Sequence, residues 1–397
     1  MRKLSVCALL ALLCAINPCA INLCAINPCA INPCAINLSA VLPGYTKLGP
    51  IGIPTTNFGQ IDRYRVNSEI LKDSVTVDIW TPSDYNLNDG TYPVVYAFDG
   101  QNLFDPEFSF AGVAWELDSI SDLLLRRGAI CSPIIVGINN RGGRNLRPND
   151  YFPEKALDYI APEDSANTYI FETCRAGFHG DENAAFVAQE LKPLVDRLYR
   201  TGTDRVNTVA MGSSMGALAA LYLMCEYPDV FGAAACMSTH WIGSLKLGPG
   251  YSMTDDPVCA RAVLHYFRCH LPDASTHRLH LDMGDLGWDA SCVGYERQAR
   301  AIAAGLGYSE DRGNCQAVWF ENSGHNEWFW QQNVSKPLTF LLSARPAGAE
   351  SVVNGRNSSS DSYYTLNGLK ISAKNVGNLP TGIYIHNGSK VLIKGNR

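Results

Sequence analysis

No basic cluster occurs anywhere along this chain, and with a net charge of −6 it offers no electrostatic footprint for nucleic acid or for an acidic polymer. Charges of both signs are sparse, 18% of residues beside 46% apolar ones, which is the balance of an ordinary globular core. Histidine is scarce as well: eight residues in 397, so any chemistry that needs an imidazole has a short list of candidates. His, Cys, Asp and Glu do not gather at metal-ligand spacings, and no metal or organic cofactor is implied. No stable membrane span is expected, because Pro18, Pro28 and Pro33 interrupt the one segment whose apolar content would suit a membrane helix.

That segment follows a short secretory pattern. Met1 to Leu13 (MRKLSVCALLALL) places a basic n-region before an apolar h-region, as in a signal peptide. Cys14 to Ala40 then repeats the pentapeptide CAINP or CAINL, with cysteines at 14, 19, 24, 29 and 34. The tract reads as a lengthened h-region cleaved near Leu38, Ser39 and Ala40, so residues 1–40 are set apart from the fold. A retained membrane anchor and lipid attachment at a cysteine such as Cys14 are the rival readings. The cysteine spacing is x₄ rather than x₂ and lacks His or acidic neighbours, which disfavours metal binding. Eight cysteines follow Ala40 (131, 174, 225, 236, 259, 269, 292, 315), an even number, compatible with some disulfides in an oxidising compartment or with plain buried thiols.

Beyond residue 40 the pattern is one of strands and helices in alternation. Asp73 to Trp80 alternates Val75, Val77 and Ile79 as a half-buried strand does. Tyr92 to Phe98 and Ile130 to Ile138 are nearly continuous apolar runs, as expected of parallel strands covered on both faces. Glu182 to Leu198 carries its apolar residues at helical spacing. Ala233 to Met237, Arg278 to Met283 and Gln316 to Phe320 supply further short strands, with Tyr295 to Leu306 helix-like between the last two. The class is therefore α/β: a mostly parallel, doubly wound sheet over residues 41–343, with a site at the carboxyl ends of its strands. Residues 344–362 are rich in Ser, Gly and Asn and read as a linker. Residues 363–397 resume alternation around a hairpin turn at Asn387 and Gly388, a small β module.

The most telling stretch is Thr208 to Leu221, TVAMGSSMGALAAL. A buried strand runs into the turn GSSMG and directly into an Ala/Leu-rich helix with no breaker until Pro228. This is the G-x-S-x-G nucleophile elbow, in which a serine sits on a sharp, strained strand-to-helix turn between two glycines that admit close backbone approach. Gly212 and Gly216 flank the central Ser214, the candidate nucleophile.

A serine hydroxyl needs an imidazole to take its proton and a carboxylate to hold that imidazole. With an elbow of this type the acid and then the histidine follow the serine in the chain. His325, in ENSGHNEWFW after the last core strand, is the candidate base; His265, His270, His277 and His280 fall in helical or strand-entry regions suited to surface or core roles. The acid should follow the strand ending near Met283, in GDLGWDA, where Asp289 and Asp285 both qualify. Asp289 is preferred because Gly284, Gly287 and Trp288 suggest a loop carrying it toward His325, whereas Asp285 beside a glycine suits a local turn. The Met215 N–H at the helix start is one oxyanion donor, and Gln101 N–H, in FDGQNLF after an early strand, is the other. Asp99 either orients that loop or contacts substrate. His240 and Trp241, in STHW, and Trp288 are candidates for lining the pocket, alongside Trp328, Phe329 and Trp330, with core packing as the alternative for each aromatic.

In this order PVVYAFDGQNLFDP, AWELD, GDENAAFVAQELKPLVDRLYRT, MGSSMGALAALYLMCEYPDVFG and SGHNEW closely resemble the putative-esterase family of α/β-hydrolases, which includes enterochelin, feruloyl and acetylxylan esterases, esterase D-like enzymes and mycolyltransferases. The match runs from about Gly49 to Leu342. The resemblance implies the α/β-hydrolase fold, Ser214 and His325 as triad members, and an acid within GDLGWDA. Where relatives often carry Thr and Glu after the glycine, this chain has Asp285 and Leu286. The tail, YTLNGLKI to LPTGIYIHNGSKVLIKGNR, resembles C-terminal sorting modules of secreted Bacteroidetes proteins. The expectation is a secreted serine esterase acting on acetyl or feruloyl-type esters of carbohydrate. An acyltransferase with the same triad and a non-catalytic glycan-binding protein on the same fold are the alternatives.

Overall fold

The structure, a computed structural model, describes residues 42–343 apart from 88 and 143–145, together with 363–365, 371, 379, 382–386 and 389–393. The chain divides into two compact units, Met1–Val41 and Leu42–Arg397. The pentapeptide tract and its cleavage site, the 344–362 linker and the Asn387–Gly388 turn lie outside the described residues.

Nine strands form one sheet: β1 (Gly44–Lys47), β2 (Gln60–Ser68), β3 (Asp73–Thr81), β4 (Val94–Phe98), β5 (Ile134–Ile138), β6 (Thr208–Ser213), β7 (Ala233–Met237), β8 (Arg278–Leu286) and β9 (Cys315–Gly324). Their order is β1-β2-β3-β5-β4-β6-β7-β8-β9. The first three are antiparallel to their neighbours, and every pair from β5 onward is parallel. Chain order steps away from β4 on both sides, to β5 on one and β6 on the other, so the crevice of a doubly wound sheet opens at their carboxyl ends.

Strand alternation divides the core in two. On β4, Val94, Tyr96 and Phe98 face one cluster, while Val95 and Ala97 face the other, the period of two that a pleated strand imposes. The first cluster takes helices α2 (Met215–Glu226), α3 (Pro257–His270) and α4 (Trp288–Gly305); the second takes α1 (Leu117–Arg126), α5 (Glu327–Asn333) and α6 (Ser335–Leu342). Helix α2 is buried along nearly its whole length, which is why its sequence is apolar all round rather than striped.

Several elements differ from the sequence pattern, each for a local reason. The helix expected from Glu182 runs from Gly180 to Leu198 but passes through a π segment at Phe186–Leu191. Pro193, which has no N–H to donate back along the helix, stands just after that segment. The strands β1 and β2 carry charge and show no apolar alternation strong enough to read. Buried Arg63 on β2 is matched by Asp78 on β3 through bonds of 2.6 and 2.8 Å, so a tertiary ion pair and not hydrophobic patterning permits that strand. The last two core strands run further than expected, β8 to Leu286 and β9 to Gly324, and α4 begins at Trp288 rather than near Tyr295.

All eight cysteines after residue 40 are free thiols, so none of the contemplated disulfides is present. Six are buried in the core, where they pack as small apolar residues. In the tail, β10 (Tyr363–Tyr364), β11 (Gly382–His386) and β12 (Ser389–Ile393) form a separate antiparallel sheet in which His386 pairs with Ser389. Ile371, Leu379 and Tyr384 close over its inner face together with Leu87.

Candidate active site

The turn after β6 holds Ser214 at φ 58°, ψ −123°, a backbone conformation that a residue with a side chain adopts only when its surroundings over-determine it. Those surroundings are explicit. Ser214 N–H donates to Met237 O at 2.9 Å, and His240 N–H donates to Ser214 O at 3.2 Å, so the end of β7 grips the turn from the side. Space requires Gly212, where a Cβ would lie 2.2 Å from Gly216 O; at Gly216 a Cβ would be tight, 3.1 Å from Asp99 Oδ2. Gly212→Ala should therefore destabilise the fold by about 3 kcal/mol or more, because the clash is with backbone that cannot swing aside. A thermal melting point within one degree of wild type would contradict this.

Ser214 Oγ lies 2.7 Å from His325 Nε2, and His325 Nδ1 lies 2.6 Å from Asp289 Oδ1. With the Nδ1 proton donated to the carboxylate, Nε2 is left to accept from the serine hydroxyl. His325 follows β9 directly; its ring is flanked by Trp288 at 5.6 Å and, edge-on, by Trp330 at 5.2 Å between centroids. Asp289 is fully buried in the first turn of α4, where the helix dipole favours a carboxylate, and Gly287 at φ 61° makes the bend that starts the helix. The expected loop is thus a helix start. Its second oxygen, Oδ2, accepts from Gly284 N–H at 3.0 Å and from Ser238 Oγ–H at 2.9 Å. Asp285, the alternative acid, is exposed and accepts from Ser323 N–H at 3.3 Å, away from the histidine.

Met215 is the first residue of α2, and Gln101 lies in a single 3₁₀ turn, Gly100–Asn102, after β4. First-turn N–H groups have no partner within their own helix, which makes both candidate oxyanion donors at the carboxyl ends of the adjacent strands β4 and β6.

Asp99 lies beneath that loop rather than facing substrate. It is 2% exposed, left-handed at φ 56°, and bound by Arg147 through three contacts of 2.6 to 3.1 Å and by Asn140 Nδ2 at 2.6 Å. Its own N–H donates to Tyr151 Oη at 3.1 Å. Burial alone would raise its pKa, but the Arg147 guanidinium, aided by Asn140 and Gln101, holds the carboxyl below the usual range.

His240 and Trp241 do not line an open surface. Trp241 is fully buried, packed on Phe267 with its Nε1–H donated to Glu296 at 2.6 Å, and belongs to the core. The His240 side chain is 1% exposed and its Nε2 is 2.8 Å from Ser244 O; only its backbone serves the elbow. Burial lowers its pKa to about 4 from 6.5. The unfolded chain therefore binds a proton between pH 6.5 and 4 that the folded chain refuses, and this residue's share of stability, full above pH 6.5, is lost as pH falls through that window. The melting point should drop on acidification from pH 7 to 4, and less so in His240→Asn. Equal losses in both proteins would exclude this origin.

Three residues that matter to this geometry carry no sequence signal. Ser238, Arg147 and Glu327 are, respectively, a serine just past a strand, one of three arginines in RGGRNLR and a helix-start acid. Burial raises the Glu327 carboxyl, which meets Asn102 Nδ2 at 3.4 Å. Only folding brings them beside Asp289, Asp99 and Asn102.

The sheet order and the elbow after β6 define an α/β-hydrolase. The chain belongs to the family described as "Putative esterase", which matches residues 68–339. Among curated proteins it is similar to the uncharacterized protein YbbA of Bacillus subtilis (strain 168), 23% identical over 180 residues; the match spans 43% of this chain and 62% of that relative, so less than two thirds of its length. Among solved structures it is similar to a ferulic acid esterase, with a TM-score of 0.52 at 19% identity, covering 72% of this chain and 99% of the other. It is similar also to the enterobactin esterase FES from Shigella flexneri, with a TM-score of 0.50 at 18% identity, covering 73% of this chain and 60% of that one. At such identities the likeness is one of fold.

Proposed function

We propose that the protein is a secreted serine esterase that hydrolyses acyl esters of carbohydrate through an acyl-enzyme. Ser214 Oγ attacks the ester carbonyl as His325 Nε2 takes its proton, and the N–H groups of Met215 and Gln101 receive the developing oxyanion. Asp289 keeps the imidazole in the tautomer that accepts at Nε2 and stabilises the imidazolium that forms. His325 then protonates the departing alcohol, and water, deprotonated by the same imidazole, releases the acid. The observation that carries this reading is the 2.7 Å approach of Ser214 Oγ to His325 Nε2 on a strained turn.

The substrate class rests on the surroundings. An open cleft of about 380 Å³ beside Gln101 is lined by Ser74, Thr76, Asn139, Asn140 and Arg141, side chains that suit sugar hydroxyls. Trp288, whose ring lies 5.6 Å from that of His325, and the half-exposed Trp328 three residues after His325 offer faces for a sugar or a ferulate ring. The likeness to a ferulic acid esterase motivates the feruloyl test. Export rests on the Met1–Leu13 pattern, with the 363–397 tail as a sorting module; fractionation of the producing cells tests both.

The experiment is release of p-nitrophenol from acetyl and butyryl esters, and of ferulate from methyl ferulate and feruloylated oligosaccharides. Turnover abolished by Ser214→Ala supports the proposal. Folded wild type that transfers acyl groups to an added sugar faster than to water marks an acyltransferase, and one that binds glycans without turnover marks a lectin-like protein.

A further inference from the structure

Behind the proposed triad lies a second histidine–carboxylate pair, fully enclosed: His280 is 0% and Asp282 2% exposed. His280 Nε2 is 2.8 Å from Asp282 Oδ2, and His280 Nδ1 is 2.9 Å from Gln316 Oε1 on the neighbouring strand β9. Charged groups are costly to bury, and a pair so placed is held only if its remaining valences are used. Asp282 uses its other oxygen on the next strand: Oδ1 accepts from Ser238 N–H at 3.0 Å, and Asp282 O accepts from the same N–H at 3.0 Å.

Ser238 follows directly on β7, and it sits at φ 43°, in the left-handed region that serine visits at a cost. The twofold grip of Asp282 on its N–H is what sustains that conformation. Its consequence is directional. Ser238 Oγ–H points at Asp289 and donates to Oδ2 at 2.9 Å, leaving Oδ1 for His325. Without it, only Gly284 N–H would hold Oδ2, and the rotation of a carboxylate that has no contact with water would rest on that bond and on His325 itself.

We infer that Ser238, locked by the buried Asp282–His280 pair, is a positioning residue that sets the orientation of Asp289 for the reaction. The inference rests on the triad reading of Ser214, His325 and Asp289. The chain of contacts runs His280, Asp282, Ser238, Asp289, His325, Ser214, across the four neighbouring strands β6 to β9 and the turns that follow them, with no proton transfer needed beyond the last pair. Its role is geometric: a carboxylate free to turn holds the imidazole less well aligned, and misalignment costs rate in the chemical step more than it costs binding.

Ser238→Ala removes one hydroxyl from a buried site and leaves the Asp282 acceptor for the backbone in place. The test measures kcat and KM on p-nitrophenyl acetate, the rate of Ser214 labelling by a fluorophosphonate probe, and the melting point, for the full-length chain. Expected are a fall in kcat and in labelling rate of about tenfold or more with KM within twofold, and partial recovery in Ser238→Cys, whose thiol is a weak donor. Asp282→Asn, which keeps an acceptor for Ser238 N–H, should lie between wild type and Ser238→Ala. Wild-type kcat and labelling in Ser238→Ala overturn the inference, as does a loss of activity matched by the unfolded fraction alone. A folded wild type that neither turns over ester nor labels at Ser214 removes the triad reading itself, and this inference with it.

Discussion

Ser214→Ala and His325→Ala are each expected to lose at least about four orders of magnitude in kcat on p-nitrophenyl acetate, and the double variant little more than either alone. Non-additivity is the point of the measurement. The hydroxyl is reactive only while His325 Nε2, 2.7 Å away, can take its proton, so removing either partner disables one event rather than two. The residual rate should stay above that in buffer, because the Met215 and Gln101 donors remain in place to meet an oxyanion. Ser214→Ala should not melt lower than wild type by more than a few degrees, since it removes a single hydroxyl and leaves the turn intact. Independent, additive losses would mean that the two residues do not act as a pair.

Asp289→Asn is expected to cost about three to four orders of magnitude in kcat, and Asp285→Asn no more than about threefold. The contrast follows from where the two carboxylates lie. Asp289 Oδ1 is 2.6 Å from His325 Nδ1 and fully buried, whereas Asp285 is exposed and accepts from Ser323 N–H at 3.3 Å. An amide at 289 can present its NH₂ to Nδ1, which favours the tautomer with the proton on Nε2 and so removes the base. Kinetics of both variants across pH 5 to 9 would check this, and severe loss in the Asp285 variant alone would reverse the assignment.

Much of this site is legible along the chain because its parts are local. The elbow needs two glycines around a serine, a strand before and a helix after, all within Thr208–Leu221, so the backbone strain at Ser214 is foreseeable from adjacent residues. His325 is similarly exposed to reading, as the histidine that follows the last core strand. The acid was harder: both aspartates stand in GDLGWDA, and the choice turns on Gly287 at φ 61°, which ends β8 and starts a helix with Asp289 in its first turn. A reading by loops points to the side chain that lies 2.6 Å from His325, but that side chain stands at a helix start and not on a loop.

What sequence alone determined is the class of architecture, the strained serine and the short list of its partners, because apolar period, turn chemistry and the scarcity of histidine are properties of neighbouring residues. Tertiary structure decided the rest. It took Trp241 into the core on Glu296, drew Asp99 beneath its loop with Arg147, left every thiol after residue 40 unpaired, and set Ser238 between Asp282 and Asp289. Each of these is a pairing of buried polar or chargeable groups between residues that stand tens of positions apart, apart from the thiols, whose state depends likewise on distances in space. Burial and partner are set together when the sheet closes, and no local pattern encodes them.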